Sequence, residues 1–228
     1  MPRTDTVLIV LTSHDTLGDT GRPTGYFLPE LAHPWQVFEQ AGRRVELVST
    51  RGGRPPHYGD DPADPVLRAF AADTAAQAAL DTTPTPDRID PARYDAVLYA
   101  GGHGTMWDFP DDPGLQHVAR AVHEAGGVVA ALCHGPAGLL EVRLSDGTRL
   151  IEGRNVAGFT DEEEAAVGLT GVVPFSLQEA LELRGAKHLR AAAFRSHVVV
   201  DGRLVTGQNP ASAADTARAV VDVLDGRR

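Results

Sequence analysis

Residues 128–136 read Val128-Val129-Ala130-Ala131-Leu132-Cys133-His134-Gly135-Pro136. Five apolar residues run straight into a cysteine, a histidine and a Gly-Pro turn, and a second apolar stretch (Ala137, Leu139, Leu140) comes after it. A short apolar run of this kind is a buried strand, and Gly and Pro end it abruptly. The pattern predicts a nucleophile elbow: a strand-to-helix turn that carries a small nucleophile over a helix N-terminus, where backbone N–H groups favour a thiolate. A lone cysteine is by default a small buried hydrophobe. The adjoining His134 and the elbow pattern overturn that default and predict a reactive, exposed thiol.

Outward from the elbow the chain alternates strand and helix signals, the signature of a mostly parallel sheet with helices on both faces. Val7–Leu11 and Arg44–Val48 read as strands, with a helix between them marked by Leu31, Trp35 and Phe38. An irregular insertion over 51–65 is predicted as an ordered loop, then an Ala-rich helix from about Val66 to Leu80. The sheet resumes at Tyr94–Ala100 and ends in Gly101-Gly102-His103-Gly104, where glycines let the backbone approach a ligand. Leu115, Val118, Ala119 and Val122 form a helical stripe before the Cys133 strand. Asn209-Pro210 reads as the cap and first residue of a final core helix. Two strand ends with unusual chemistry fall at one edge of a parallel sheet, where α/β proteins bind ligands.

The chain has 228 residues and one cysteine, so one domain spanning 1–228 is expected, without intramolecular disulfides, with 51–92 and 141–190 as embellishments near the site. The opening Met1-Pro2-Arg3-Thr4-Asp5-Thr6 passes directly into a strand-like run, and no stretch reaches membrane-spanning length. A cytoplasmic protein is expected. With 21 basic and 31 acidic side chains the net charge is −10, which opposes binding to nucleic acid or an anionic membrane.

Cysteine with histidine suits a protease, an acyltransferase or a carbonyl-directed lyase, so the acidic groups decide. Glu30 lies between Gly25-Tyr26-Phe27-Leu28-Pro29 and the helix of Trp35, within reach of the sheet's carboxyl edge. The run Asp161-Glu162-Glu163-Glu164 reads as the first turn of a helix capped by Thr160 or Asp161, one member of which can orient His134. His103 and Trp107 come after the glycine turn and are candidates to line the pocket. Asp108, Asp111 and Asp112 read as turn and cap residues.

Ala130–Ala137 resembles the nucleophile motif of the ThiJ/PfpI superfamily, whose fold is class I glutamine-amidotransferase-like. Thr24–Pro34, Gly101–Pro110, Leu150–Gly153, Gly158–Asp161 and Asp201–Ser212 resemble, in order, the blocks of its heat-inducible chaperone/glyoxalase III branch. The resemblance implies a flavodoxin-like, doubly wound sheet and a glutathione-independent glyoxalase that turns methylglyoxal and related 2-oxoaldehydes into 2-hydroxy acids. It implies Cys133 as nucleophile, His134 as its partner, Glu30 as the carboxylate that shuttles protons and Glu164 as third member of the triad, with Glu163 one residue away. Gly102, His103 and Trp107 would bind a small carbonyl substrate. No cofactor and no metal are expected, and a homodimer is. Two other readings stay open: a holdase chaperone whose thiol senses redox state, and a different cysteine-dependent hydratase or hydrolase on the same elbow. The segment Arg51–Pro65 departs from the recognised blocks and is placed to cap the site.

Overall fold

Strands that are apolar on both faces can be buried only between two layers of helices. The computed structural model describes residues 4–227; the opening Met1-Pro2-Arg3 lies outside them. In chain order the elements are β1 (Thr6–Leu11), β2 (Tyr26–Phe27), α1 (Pro29–Gln40), β3 (Arg44–Ser49), β4 (His57–Tyr58), α2 (Pro65–Ala72), α3 (Thr74–Asp81), β5 (Ala96–Tyr99), α4 (Thr105–Asp108) and α5 (Pro113–Glu124). They continue with β6 (Val128–Leu132), β7 (Asn155–Val156), α6 (Asp161–Ala166), α7 (Leu177–Leu183), β8 (Lys187–His188), β9 (Val198–Asp201), β10 (Leu204–Gly207) and α8 (Ala213–Leu224).

The main sheet has the order β3-β1-β5-β6-β10-β9. Its pairings are parallel except the β9–β10 edge. Strand alternation splits the interior into two cores. Val7, Ile9, Leu11, Ala96, Leu98, Ala130 and Leu132 face one side, with Leu31, Phe38, Phe70, Leu80, Val220 and Leu224 of α1, α2, α3 and α8. Leu8, Val10, Val97, Tyr99, Val129 and Ala131 face the other, with Leu115, Val118 and Val122 of α5 and Leu177 and Leu181 of α7. The parallel register brings the carboxyl ends of β1, β5 and β6 to one edge, so Thr12, Gly101 and Cys133 leave the sheet there.

The insertion is ordered, as expected, and contributes β4, which pairs with β2: Tyr26 opposite His57 and Phe27 opposite Tyr58. The Ala-rich helix expected over 66–80 is two helices. Asp73 is extended between them and its carboxylate caps α3 by accepting from the N–H groups of Ala75 and Ala76, which a continuous helix would forbid. Asn209 also departs from expectation: its side chain makes no cap, donating instead to Glu163 Oε1 and the Arg195 carbonyl, and Pro210–Ser212 form a separate 3-10 turn before α8. Asp112 does cap α5, with Pro113 in the first turn.

Candidate active site

Cys133 has φ +57°, the left-handed region that a residue with a side chain avoids. Its N–H donates to the Gly207 carbonyl at 2.9 Å and its carbonyl accepts from Phe159 N–H at 2.9 Å, so flanking elements hold the strained turn. The strain turns the side chain out of the strand, as an elbow requires. Beyond the turn the chain enters a 3-10 helix over Gly135–Leu139. Close packing explains the glycine: a Cβ on Gly135 would run into the Tyr99 carbonyl.

The thiol is only 4% exposed. Burial pushes it well above the ordinary thiol range and the Glu30 carboxylate adds to the push, while the N–H groups of Gly102 and His134 favour the thiolate. The expectation of an exposed thiol is therefore corrected. The elbow points Cys133 into the buried interior beside Glu30 and His134, where the cost of desolvating a thiolate outweighs the backbone N–H groups.

Glu30 lies in the first turn of α1 and is 0% exposed. Neither carboxylate oxygen has a hydrogen-bond partner of good geometry among the described residues. Burial lifts its pKa to about 8 against the weaker pull of the Cys133 thiol and the Gly101 N–H. Gly101 is what brings it close: a Cβ there would collide with Glu30 Oε2 and would stand 2.7 Å from Cys133 Cβ.

His134 is 0% exposed, with Nδ1 3.3 Å from Cys133 Sγ and Nε2 2.7 Å from Glu164 Oε2. The other oxygen, Oε1, is 2.9 Å from His103 Nε2, and His103 Nδ1 is 3.0 Å from the Tyr58 hydroxyl. Against the burial that would raise it, the two imidazoles hold Glu164 down at about 2. Burial, and then the neighbouring His103, lower His134 to about 4 in spite of Glu164. An ionised carboxylate only accepts, so both imidazoles present Nε2–H to it, which leaves His134 Nδ1 bare toward the sulfur.

The acidic run resolves by geometry. Thr160 caps α6 in a reciprocal box with Glu163. Glu163 also accepts from Phe194 N–H, Gln208 and Asn209. Glu164, one residue on, faces His134. Gly102, with φ +105°, turns tightly against Gly25 and Phe27, where a Cβ would meet the Gly25 carbonyl and Phe27 nitrogen at 2.5 Å each. The Trp107 ring stacks on His14 at 4.9 Å and 5°. Asp108 is more than a turn residue, since it accepts from Thr12, Ser13 N–H and Thr50 and ties together the loops after β1 and β3. His33 pairs with Asp64 and His57 with Asp60.

Sequence reasoning missed Tyr58 and Phe159. The Phe159 ring lies 4.4 Å from that of His134 and covers it. A strand-like pair inside a Pro/Gly-rich insertion was the available signal for Tyr58. His103, His134 and Glu164 place ligand atoms within 4.8 Å of one another, the group among the described residues able to hold an ion, though an ion there would have to displace both Nε2 protons.

A doubly wound α/β sheet with a cysteine elbow, a histidine–glutamate partner and a dry second carboxylate defines a class of cysteine-centred α/β proteins. The chain belongs to the DJ-1/PfpI family, whose model matches residues 25–223. It is 35% identical over 235 residues to a Candida albicans protein named glyoxalase 3, covering 94% of this chain and 96% of that one. It is also 35% identical, over 96% of this chain and 97% of the relative, to a Saccharomyces cerevisiae protein named a glutathione-independent glyoxalase. The crystal structure of glyoxalase III from Candida albicans superimposes with a TM-score of 0.88 at 31% identity, over 97% of this chain and 98% of that one. The rapid encystment protein of Francisella tularensis gives 0.93 at 37%, over 96% and 98%.

Proposed function

We propose that this protein is a glutathione-independent glyoxalase, converting methylglyoxal and related 2-oxoaldehydes with water to 2-hydroxy acids. The observation that carries the reading is the buried Glu30 carboxylate, without a hydrogen-bond partner of good geometry, beside the Cys133 thiol. An acyl-transfer triad has no use for a second dry carboxylate, whereas an isomerisation that moves a proton between adjacent carbons does.

Cys133 Sγ attacks the aldehyde carbon as His134 Nδ1 accepts the thiol proton, and the former carbonyl oxygen takes up a proton to give a hemithioacetal. The N–H groups of Gly102 and His134, which act on the sulfur, would stabilise the developing oxyanion. Glu30 removes the proton from the same carbon to give an enediolate, the hydroxyl proton on that carbon passes to the former ketone oxygen, and Glu30 returns its proton to the neighbouring carbon as the first carbon regains a carbonyl. The product is a 2-hydroxyacyl thioester on Sγ, isomeric with the adduct. Water cleaves it to the 2-hydroxy acid and the free thiol. The aldehyde carbon is oxidised and the ketone carbon reduced, so no external electron carrier enters. Glu164 keeps the His134 imidazole in the required tautomer, and Gly102 and His103 border the substrate.

A reducing, cytoplasmic setting suits chemistry that needs a free thiol, and a homodimer belongs to the same proposal. Among the described residues no helix is long and apolar enough to cross a membrane. The test is lactate formation from methylglyoxal by reduced protein without glutathione. Wild type is expected to turn over and folded Cys133→Ala to be inert; an inert wild type, or an active Cys133→Ala, overturns the reading.

A further inference from the structure

The proposed base does not stand alone on its carboxylate. Glu164 gives one oxygen to His134 and the other to His103, and the two imidazole rings lie 4.2 Å apart. If His103 carried its proton on Nδ1 instead, a bare Nε2 would face Glu164 Oε1, and two acceptors would oppose each other in a site almost closed to water. The arrangement therefore needs something that makes Nδ1 of His103 an acceptor. Tyr58 meets that need. Its oxygen lies 3.0 Å from His103 Nδ1 and accepts the backbone N–H of the same residue at 3.2 Å. With the oxygen engaged as acceptor, the phenol proton is free for Nδ1.

Tyr58 is fixed from several directions. β4 pairs with β2, Leu28 N–H donates to the Tyr58 carbonyl at 2.9 Å, and Phe27 N–H donates to the Gly101 carbonyl at 3.2 Å. The Tyr58 ring packs against Phe27 at 5.2 Å. The insertion 51–65 and the glycine turn after β5 are thus joined through one short ladder that ends at His103. Burial, with the nearby Cys133 second, raises the pKa of the phenol above its ordinary value, so it keeps its proton at neutral pH.

We propose that Tyr58 is a positioning residue: by donating to His103 Nδ1 it fixes that imidazole as the Nε2–H tautomer on Glu164 and so steadies the carboxylate that orients His134 toward Cys133. The chain of hydrogen bonds runs from Tyr58 through His103 and Glu164 to His134 and the thiol. Its consequence for turnover rests on the glyoxalase reading; the tautomers and the thiol's reactivity do not.

The experiment uses the full chain, its histidines labelled with 15N and those of His103 and His134 assigned by difference with His103→Gln and His134→Gln. In wild type both residues are expected to show a protonated Nε2 and a bare Nδ1. A protonated Nδ1 on His103 overturns the proposal whatever any variant does. Tyr58→Phe keeps the ring packing on Phe27 and is expected to move the His103 Nδ1 resonance. It should slow alkylation of Cys133 by iodoacetamide roughly fivefold at pH 7, the scale of one neutral hydrogen bond. Unchanged His103 nitrogens with an unchanged alkylation rate overturn it. With methylglyoxal, kcat should fall by a similar factor while KM holds within about twofold. The double variant Tyr58→Phe/His103→Gln should be no slower than His103→Gln alone, because Tyr58 acts through His103; additive losses would show a direct role and refute the relay. If wild type does not consume methylglyoxal, the glyoxalase reading fails while the nitrogen and alkylation measurements still decide the relay.

Discussion

The carboxylate of Glu30 and the thiol of Cys133 are buried together at the elbow, and the carboxylate helps keep the sulfur protonated. Removing the Glu30 charge therefore has opposite effects on two properties that usually move together. Glu30→Gln is expected to alkylate faster with iodoacetamide at pH 8 than wild type, because the negative charge opposing the thiolate is gone. The same variant should lose about a hundredfold or more of its methylglyoxal turnover, the scale of a general base. Parallel loss of both would mean that Glu30 only supports the fold.

Glu30 also makes stability depend on pH. Its folded pKa, about 8, lies above the ordinary value of 4.5. A raised carboxyl contributes stability that is fully present below 4.5 and is lost as pH rises through 8, because the unfolded chain releases the proton first. The shift corresponds to at most about 5 kcal/mol, as an upper bound. Glu30→Gln, which mimics the neutral acid, should melt several degrees above wild type at pH 9 and close to it at pH 4.5. Calorimetry across that range checks the sign.

Adjacent glutamates of α6 should separate cleanly. Glu164→Gln can no longer accept from both imidazoles, and kcat should drop by roughly 10²–10⁴, as when a histidine loses its orienting carboxylate. Glu163→Gln instead weakens the bonds to Phe194, Gln208 and Asn209. It should cost about 1–3 kcal/mol of stability with kcat nearly retained. Denaturant unfolding beside steady-state kinetics on both variants distinguishes them.

Gly101→Ala places a methyl against Glu30 Oε2 and Cys133 Cβ. Overpacking of this kind costs about 1–3 kcal/mol. Because the atoms struck are the thiol's own Cβ and the neighbouring carboxylate, turnover should fall further than stability. An active, fully stable Gly101→Ala would contradict the described packing.

Much of this site was legible in the chain because its parts sit where local rules are strong. The elbow announced itself in five apolar residues ending at Cys133, and the glycine turn in a strand ending at Gly101. The burial of the thiol was not legible: it depends on Glu30 of α1 packing beside it, a contact made by a segment far away in sequence. Tyr58 was hidden for the same reason, lying 45 residues from His103 and reaching it through a two-residue pairing. The helix break at Asp73 is made by a local cap that the apolar spacing of 66–80 did not reveal, and the Asn209 side chain is drawn from capping to Glu163 and the Arg195 carbonyl, partners distant in sequence. The register of the acidic run was undecidable by spacing, since Glu163 and Glu164 differ only in which face of one helical turn they occupy.

The most direct measurement is to mix Glu30→Gln with methylglyoxal, quench in acid during the reaction, and determine the mass of the peptide carrying Cys133. The expected result is a gain of one methylglyoxal equivalent on Cys133, since addition to the thiol precedes the step assigned to Glu30, together with a smaller transient gain in wild type. Turnover by wild type with Cys133 unmodified in both proteins would contradict a covalent thiol mechanism.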